Sequence, residues 1–153
     1  MLIGGLQKLT LIDFPGKIAC TVFLSGCNFR CPFCYSPELV LPELIKKHPA
    51  LPEKALFRFL KERKNLLEGI VICGGEPSCD KKLLGFIKKI KKMGPPAGGF
   101  AVKLDTNGSN PKILKKLIDK KLIDYVAMDI KGPKEKYDRI AGIKTDIKKI
   151  QKS

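Results

Sequence analysis

Three cysteines lie close together in the first quarter of the chain. Cys27, Cys31 and Cys34 are separated by three and two residues, so one short loop can bring their thiolates to a single metal centre. Three local thiolates suit a 4Fe-4S cluster with one iron left without a protein ligand, since four cysteines would normally complete the set. An open metal position is where a substrate or cofactor can react. The alternative is structural zinc, completed by one of the three scattered cysteines, Cys20, Cys73 or Cys79.

Three further segments contain residue types that suit a cofactor site. Gly-Gly-Glu-Pro occupies residues 74–77, Asp-Thr-Asn-Gly occupies residues 105–108, and Asp129 precedes Lys131 by two positions. Asn-Gly also favours ordinary turns, and a lysine such as Lys131 is often simply solvated. The position of these segments in the fold therefore decides how they are interpreted.

Hydrophobic segments alternate with helical patterns along the chain. Apolar runs predict buried strands at residues 18–25, 69–73, 100–104 and 124–130. Helical spacing predicts helices that begin at Pro52, at Leu83 and at Pro111, the last capped by Asn110, and Gly94-Pro95-Pro96 is expected to stop the second. Four alternations predict an α/β fold with about four β/α units, a parallel sheet and helices outside, either open or part of a barrel.

In such sheets, ligands bind at the carboxyl ends of the strands. The cysteine loop and the three polar segments each follow one predicted strand. We therefore expect all four to meet at one edge of the sheet, and this favours a functional interpretation of each. The cysteines Cys20 and Cys73 lie within strand patterns and are predicted to be small core residues.

Two motifs resemble a known superfamily. The stretch GCNFRCPFC is similar to the CxxxCxxC signature of the radical S-adenosylmethionine (SAM) superfamily, and ICGGEP at residues 72–77 is similar to its GGE motif. Residues 6–39, together with LDTNG and MDIKGP, resemble the activases of glycyl-radical enzymes, and among these the activases of anaerobic ribonucleoside-triphosphate reductase. The resemblance implies a partial (β/α) barrel of the radical SAM type.

The resemblance also implies roles for the cysteine loop and the glycine-rich turn. The three cysteines would ligate three irons of a 4Fe-4S cluster, and the fourth iron would bind SAM. Phe33 would pack near the adenine. Gly74 and Gly75 would let the backbone approach the methionyl part of SAM, Glu76 would accept from its ammonium group, and Pro77 would fix the turn.

The later segments have implied roles as well. Asp105, Thr106 and Asn107 offer oxygens to the ribose, or to a cation near the SAM carboxylate, with Asp129 opposite. Lys131 is the expected partner of that carboxylate. No side chain is expected to act as a general acid or base. His48, the only histidine, is predicted to be a surface loop residue.

The implied function is an enzyme that cleaves SAM reductively to a 5'-deoxyadenosyl radical and thereby generates a glycyl radical on anaerobic ribonucleoside-triphosphate reductase. Its second partner would be a low-potential electron donor such as flavodoxin or ferredoxin. The alternatives are a radical SAM enzyme with another substrate, such as a pyruvate formate-lyase activase or a deazaguanine-precursor synthase, and a non-catalytic iron-sulfur or zinc module with a basic binding face.

Composition limits the remaining choices. No apolar run is long enough to cross a bilayer, and the N-terminus has no secretory signal pattern, so we expect a cytoplasmic protein. The resemblance to glycyl-radical-enzyme activases implies that it works under anaerobic conditions. The net charge is +15, of which residues 81–153 contribute +13. Pairs of lysines on helix faces without interleaved aromatics favour a solvated surface over a nucleic-acid interface.

The length of 153 residues predicts a single domain. A radical SAM core usually has six β/α units, so the chain is expected to be either a compact partial barrel or a truncated form of a longer one. In both cases the cysteine loop and most residues implied to contact SAM are present.

Overall fold

The computed structural model describes residues 1–94 and 99–153. Five strands form one sheet in the order β1-β2-β3-β4-β5. Their bounds are β1 Ile3–Thr10, β2 Ala19–Leu24, β3 Gly69–Gly74, β4 Ala101–Thr106 and β5 Tyr125–Met128. The four strands β2 to β5 are parallel, whereas β1 is antiparallel to β2. The predicted α/β fold with four successive parallel strands is confirmed.

The helices connect the parallel strands or follow the last one. They are α1 Pro42–Ile45, α2 Glu53–Arg63, α3 Leu83–Lys91, α4 Pro111–Asp119, α5 Tyr137–Ala141 and α6 Ile147–Lys152. The Asn110 side chain accepts a hydrogen bond from the Ile113 amide, which confirms the predicted cap of α4. Helix α3 ends before Gly94, and the other two residues of its predicted stop, Pro95 and Pro96, lie outside the described residues.

Strand β1 is absent from the sequence prediction. It contains Gly4 and Gly5, both disfavoured in strands, and its polar residues Gln7 and Lys8 are exposed. An edge strand pairs on one side only, so its pattern does not need the continuous apolar run that marks the central strands. The close approach of β1 to Leu39 favours glycine at position 4, because a Cβ there would lie 2.2 Å from the Leu39 side chain, which would have to move.

One face of the sheet packs against the helices. Ile70 and Ile72 of β3 and Leu104 of β4 are fully buried there against the apolar faces of α2, α3 and α4. Burying this many aliphatic side chains is the main favourable term in folding, at about 25 cal/mol per Å² of apolar surface. In α4, Leu117 is buried as the spacing predicts, whereas Ile118 is 52% exposed at the edge of the stripe.

The other face of the sheet is the inside of the partial barrel, and its side chains lie in rows across the strands. The lowest row contains Ala19, Gly69 and Ala101, and Phe14 from the loop after β1 packs onto it. The middle row contains Thr21, Val71, Lys103 and Tyr125, and the upper row contains Phe23, Cys73, Asp105 and Ala127. The upper row leads to the carboxyl ends of the strands.

Candidate functional site

The cysteine loop follows β2 and is anchored by α5 and by Gly142 directly after it. The Arg30 amide donates to the carbonyl of Ala141 (2.8 Å), and Phe29 is buried against Tyr137, with ring centroids 6.4 Å apart. A Cβ on Gly142 would lie 1.9 Å from the Arg30 carbonyl oxygen. The Arg30 guanidinium also donates to the carbonyls of Cys27 and Phe29. These contacts hold the loop while leaving its three thiols partly exposed.

Burial and neighbouring charges influence these thiols. Burial raises the pKa of Cys27 to about 11, although a hydrogen bond from the Phe29 amide opposes the shift. Burial also raises the pKa of Cys31, and the nearby Lys131 ammonium opposes that rise. A metal must therefore displace protons from the Cys27 and Cys31 thiols when it binds.

The glycine-rich turn after β3 touches the cysteine loop directly. Gly74 has φ of +110°, and a Cβ there would lie 2.4 Å from the backbone of Leu24; one on Gly75 would lie 2.2 Å from the Gly26 carbonyl oxygen. The amides of Gly75 and Glu76 donate to the carbonyls of Leu24 and Gly26, both at 2.8 Å. The two glycines thus allow close packing of one loop on the other, a role that their sequence interpretation did not include.

The Glu76 carboxylate is buried, with 2% of the residue exposed, and protein donors surround it. Its Oε1 accepts from the Ser78 amide (3.0 Å) and the Thr106 hydroxyl (2.7 Å), and its Oε2 accepts from the Asn107 amide (2.6 Å). Three hydrogen bonds offset the cost of burying this charge. The side chain therefore joins the turn after β3 to the turn after β4, a structural role beyond the ammonium contact that the resemblance implied.

Asn28 completes the connection between the loops. Its side-chain oxygen accepts from the Asn107 side chain (3.0 Å), and its side-chain nitrogen donates to the Ser109 hydroxyl (3.0 Å). Sequence reasoning missed Asn28, although its place directly after Cys27 is a signal that could have drawn attention to it.

Two carboxylates at the strand ends are each paired with a lysine. Lys103 donates to Asp105 (2.5 Å), and Lys131 donates to Asp129 (2.6 Å). Burial tends to lower the pKa of Lys131, but the hydrogen bond to Asp129 and its charge raise that pKa above its ordinary value. Lys131 is therefore a cation at neutral pH. Sequence reasoning missed Lys103, which is 7% exposed inside the barrel.

These elements surround one cleft of about 310 Å³ at the carboxyl edge of the sheet. Every predicted site residue except Pro77 lines it: Cys27, Cys31, Phe33, Cys34, Gly74, Gly75, Glu76, Asp105, Thr106, Asn107, Asp129 and Lys131. Pro77 is buried beside the cleft, where it begins the short 3-10 turn Pro77–Cys79. The convergence expected from the strand order is therefore present.

The remaining titratable candidates occupy three different environments. Cys20 is fully buried on the helix side of the sheet, as predicted, and burial raises its pKa to about 12. Cys73 packs against the core residues Phe14, Ala19 and Val71, but it is only partly buried and also lines the cleft beside Asp105, which the prediction of a core position did not include. His48 is half-buried rather than a free surface residue, since its ring bonds the Gly4 carbonyl oxygen at 2.7 Å.

The donor set suits the implied cofactors. Three thiols on one side of the cleft can bind irons, while hydrogen-bonding oxygens and the Lys131 ammonium line it for a zwitterionic nucleoside such as SAM. Over residues 1–94 and 99–153, no three His, Cys, Asp or Glu side chains are grouped to hold a single metal ion. Cys20 cannot complete a zinc site with the loop, because it lies on the opposite face of the sheet.

A family comparison defines the class of protein. The model of the radical SAM superfamily matches residues 21–153, so the chain belongs to this superfamily of enzymes, which use a 4Fe-4S cluster and SAM. Membership favours a cluster and SAM site over the alternative of a non-catalytic metal module.

Individual relatives add detail. The chain is 35% identical over 150 residues to a Methanocaldococcus jannaschii protein named as a glycyl-radical enzyme activating enzyme, covering 98% of this chain and 58% of the relative. It is 30% identical over 138 residues to the pyruvate formate-lyase-activating enzyme of Clostridium pasteurianum, covering 84% of this chain and 52% of the relative. The chain thus spans about half the length of these relatives.

Two further findings complete the comparison. The solved structure of QueE from Escherichia coli matches 71% of this chain and 52% of its own, with a TM-score of 0.49 and 21% identity. Among the helices of the described residues, none combines the length and apolar character needed to pass through a membrane.

Proposed function

We propose that this chain forms the cofactor-binding part of a glycyl-radical-enzyme activase whose partner is anaerobic ribonucleoside-triphosphate reductase. The observation that carries the proposal is the meeting of three thiols, a glycine-rich turn and two lysine-paired carboxylates in one cleft. Relatives named as activating enzymes support the general class. The resemblance of residues 6–39 supports the choice of reductase.

The bound cofactors would supply one-electron cleavage of the SAM sulfonium, giving methionine and a 5'-deoxyadenosyl radical that removes hydrogen from a glycine Cα of the partner. The chain's own residues bind and orient. Asp105, Thr106 and Asn107 would hold the ribose, and the Lys131 ammonium, already inside the cleft, would attract the SAM carboxylate. No general acid or base is required for this reaction.

The rim of the cleft offers a surface for the partner. Phe33 is 53% exposed and Tyr35 is fully exposed, and both line the cleft beside the cysteines. Exposed aromatic side chains beside a concave site are typical anchors for a partner protein. We propose that the glycine-bearing loop of the reductase enters here. Flavodoxin or ferredoxin would supply the electron.

The first experiment tests the cofactor chemistry. Anaerobically reconstituted protein should bind about four irons and, with dithionite and SAM, release 5'-deoxyadenosine. Cys31→Ser should abolish that release, whereas Cys79→Ser, which alters an exposed cysteine outside the triplet, should retain it. A protein that binds a single zinc ion and leaves SAM intact would exclude this function.

The second experiment tests the partner. Mixing the activated protein with anaerobic ribonucleoside-triphosphate reductase should produce a glycyl-radical doublet in the electron paramagnetic resonance spectrum. Pyruvate formate-lyase is the second candidate, because a relative at 30% identity is named as its activating enzyme. A doublet on pyruvate formate-lyase alone would replace the reductase as the proposed target.

A further inference from the structure

Lys103 is a charged residue in the middle row of the barrel interior. It lies in the centre of β4, paired in register with Val71 on one side and Tyr125 on the other. Only 7% of the residue is exposed. Burying an ammonium among such neighbours is costly unless a counter-charge and hydrogen bonds compensate it. We therefore expect a carboxylate close to the Lys103 ammonium that compensates the cost of burying it.

That carboxylate belongs to Asp105, two positions further along the same strand. The Lys103 ammonium donates to Oδ1 at 2.5 Å. The carboxylate itself lines the cleft, beside Cys73 and in the same row as Ala127. The lysine thus holds Oδ1, and the Cys73 thiol also hydrogen-bonds this carboxylate. A carboxylate has about four acceptor sites, so it can still accept hydrogen bonds from a ligand in the cleft.

The charges in the cleft are balanced by the protein itself. Asp129 is paired with Lys131, and the Glu76 carboxylate receives three hydrogen bonds from protein donors. With Asp105 paired to Lys103, each of the three carboxylates that line the cleft has a protein partner. A metal cation placed beside Asp105 would meet the repulsion of a buried ammonium 2.5 Å from that carboxylate.

We propose that Lys103 is a built-in counter-cation that positions Asp105 to accept hydrogen bonds from ligand hydroxyl groups and that replaces a bound metal cation at this point of the cleft. Sequence reasoning left open whether Asp105 serves a ribose or a cation, and the ion pair selects the ribose. The identity of the ligand rests on the proposed function, whereas the exclusion of a cation rests on the ion pair alone.

The first arm of the test measures metal binding without SAM. Mn²⁺ prefers carboxylate oxygens, so its binding by electron paramagnetic resonance reports an uncompensated Asp105. Wild type is expected to have no Mn²⁺ site in the cleft. Lys103→Met, which keeps the length of the side chain and removes its charge, should gain one site, and Lys103→Met combined with Asp105→Asn should lose it again. No gain in Lys103→Met would overturn the proposal.

The second arm measures the affinity of the reconstituted protein for S-adenosylhomocysteine. Wild-type affinity should be the same in potassium and in choline salts of equal ionic strength. Lys103→Met should bind about tenfold more weakly or worse in choline, because the loss of one partner leaves the other charge unpaired, and added cations should restore part of the affinity. A wild type that requires a metal cation for binding would contradict the proposal.

The two arms separate failure of this inference from failure of the proposed function. If wild type binds no S-adenosyl ligand, the proposed function fails, while the Mn²⁺ result still decides the role of Lys103. Urea unfolding of each variant identifies a change that acts through folding alone. Asp105→Asn combined with Lys103→Met removes both charges, so it should fold even if the unpaired Asp105 destabilises the single variant.

Discussion

Replacing Glu76 by glutamine tests whether this buried side chain joins two strand ends. The carboxylate accepts three hydrogen bonds, and an amide can retain at most the two made to one oxygen, from Ser78 and Thr106. Its NH₂ group would then face the Asn107 amide, which now donates to Oε2 at 2.6 Å. The charge-assisted hydrogen bond from the Asn107 amide is lost, and this buried N–H group then faces the NH₂ group of the glutamine, which is also a donor.

The size of the effect follows from these contacts. Loss of a hydrogen bond to a charged group costs about 1.5–3 kcal/mol, and an unsatisfied buried amide costs about 1–3 kcal/mol. Relief of the buried charge offsets part of this cost, so we expect Glu76→Gln to lower the free energy of unfolding by about 3 kcal/mol. Urea unfolding followed by circular dichroism at neutral pH measures it.

The matched control is Glu62→Gln, on the exposed surface of α2, where we expect a change below about 0.5 kcal/mol. If Glu76→Gln unfolds within about 0.5 kcal/mol of wild type, the three hydrogen bonds do not hold the turns together and the assigned structural role is wrong.

Three further predictions use the same unfolding assay. Gly75→Ala should destabilise the protein by about 2 kcal/mol or more because its Cβ would meet the Gly26 carbonyl, whereas Gly85→Ala, in open space on α3, should be neutral or stabilising; equal effects would contradict the packing argument. Phe29→Ala should lower the free energy of unfolding by about 3–5 kcal/mol, because Phe29 is buried against α5. Phe33 is exposed on the same loop, and an equal loss for Phe33→Ala would refute the role of Phe29 in anchoring the loop. Above pH 9 the unfolded Cys20 thiol ionises while the folded one, with a pKa of about 12, does not. The contribution of the Cys20 thiol to the free energy of unfolding is therefore fully present below pH 9. Between pH 9 and pH 12 this contribution falls by about 1.4 kcal/mol per pH unit. Cys20→Ala should lack this contribution to the slope, and parallel pH profiles of the two proteins would show the assignment to be wrong.

Much of the fold was predictable because its determinants are local. The runs at residues 18–25 and 69–73 are nearly continuously apolar, as is typical of strands buried on both faces, and β2 and β3 occupy nearly the same ranges. The spacing of Leu83, Phe86, Ile87 and Ile90 places all four on one buried face of α3. Strand β1 escaped prediction because an edge strand with two glycines lacks such a run.

The candidate site was predictable in its residues but not in its contacts. Parallel strands have their carboxyl ends at one edge, so motifs that follow successive strands must meet there. By itself, the sequence determined the three-cysteine loop, the glycine-rich turn and their common edge. The partners of these residues depend on the tertiary structure, since Glu76 accepts a hydrogen bond from Thr106, 30 positions away, and Arg30 donates one to Ala141 of α5.

Lys103 shows most clearly the difference between what the sequence predicts and what only the tertiary structure determines. As one lysine among many in a basic chain, it carries no sequence signal that separates it from a solvated one. Its alternation with Leu104 along β4 places Lys103 on the inner face of the sheet. Only the folded structure shows that this position is buried and that the ammonium is paired with Asp105. Spacing along the chain thus determined which groups could react, and packing of distant segments decided which charges are compensated, because burial is a property of the assembled fold.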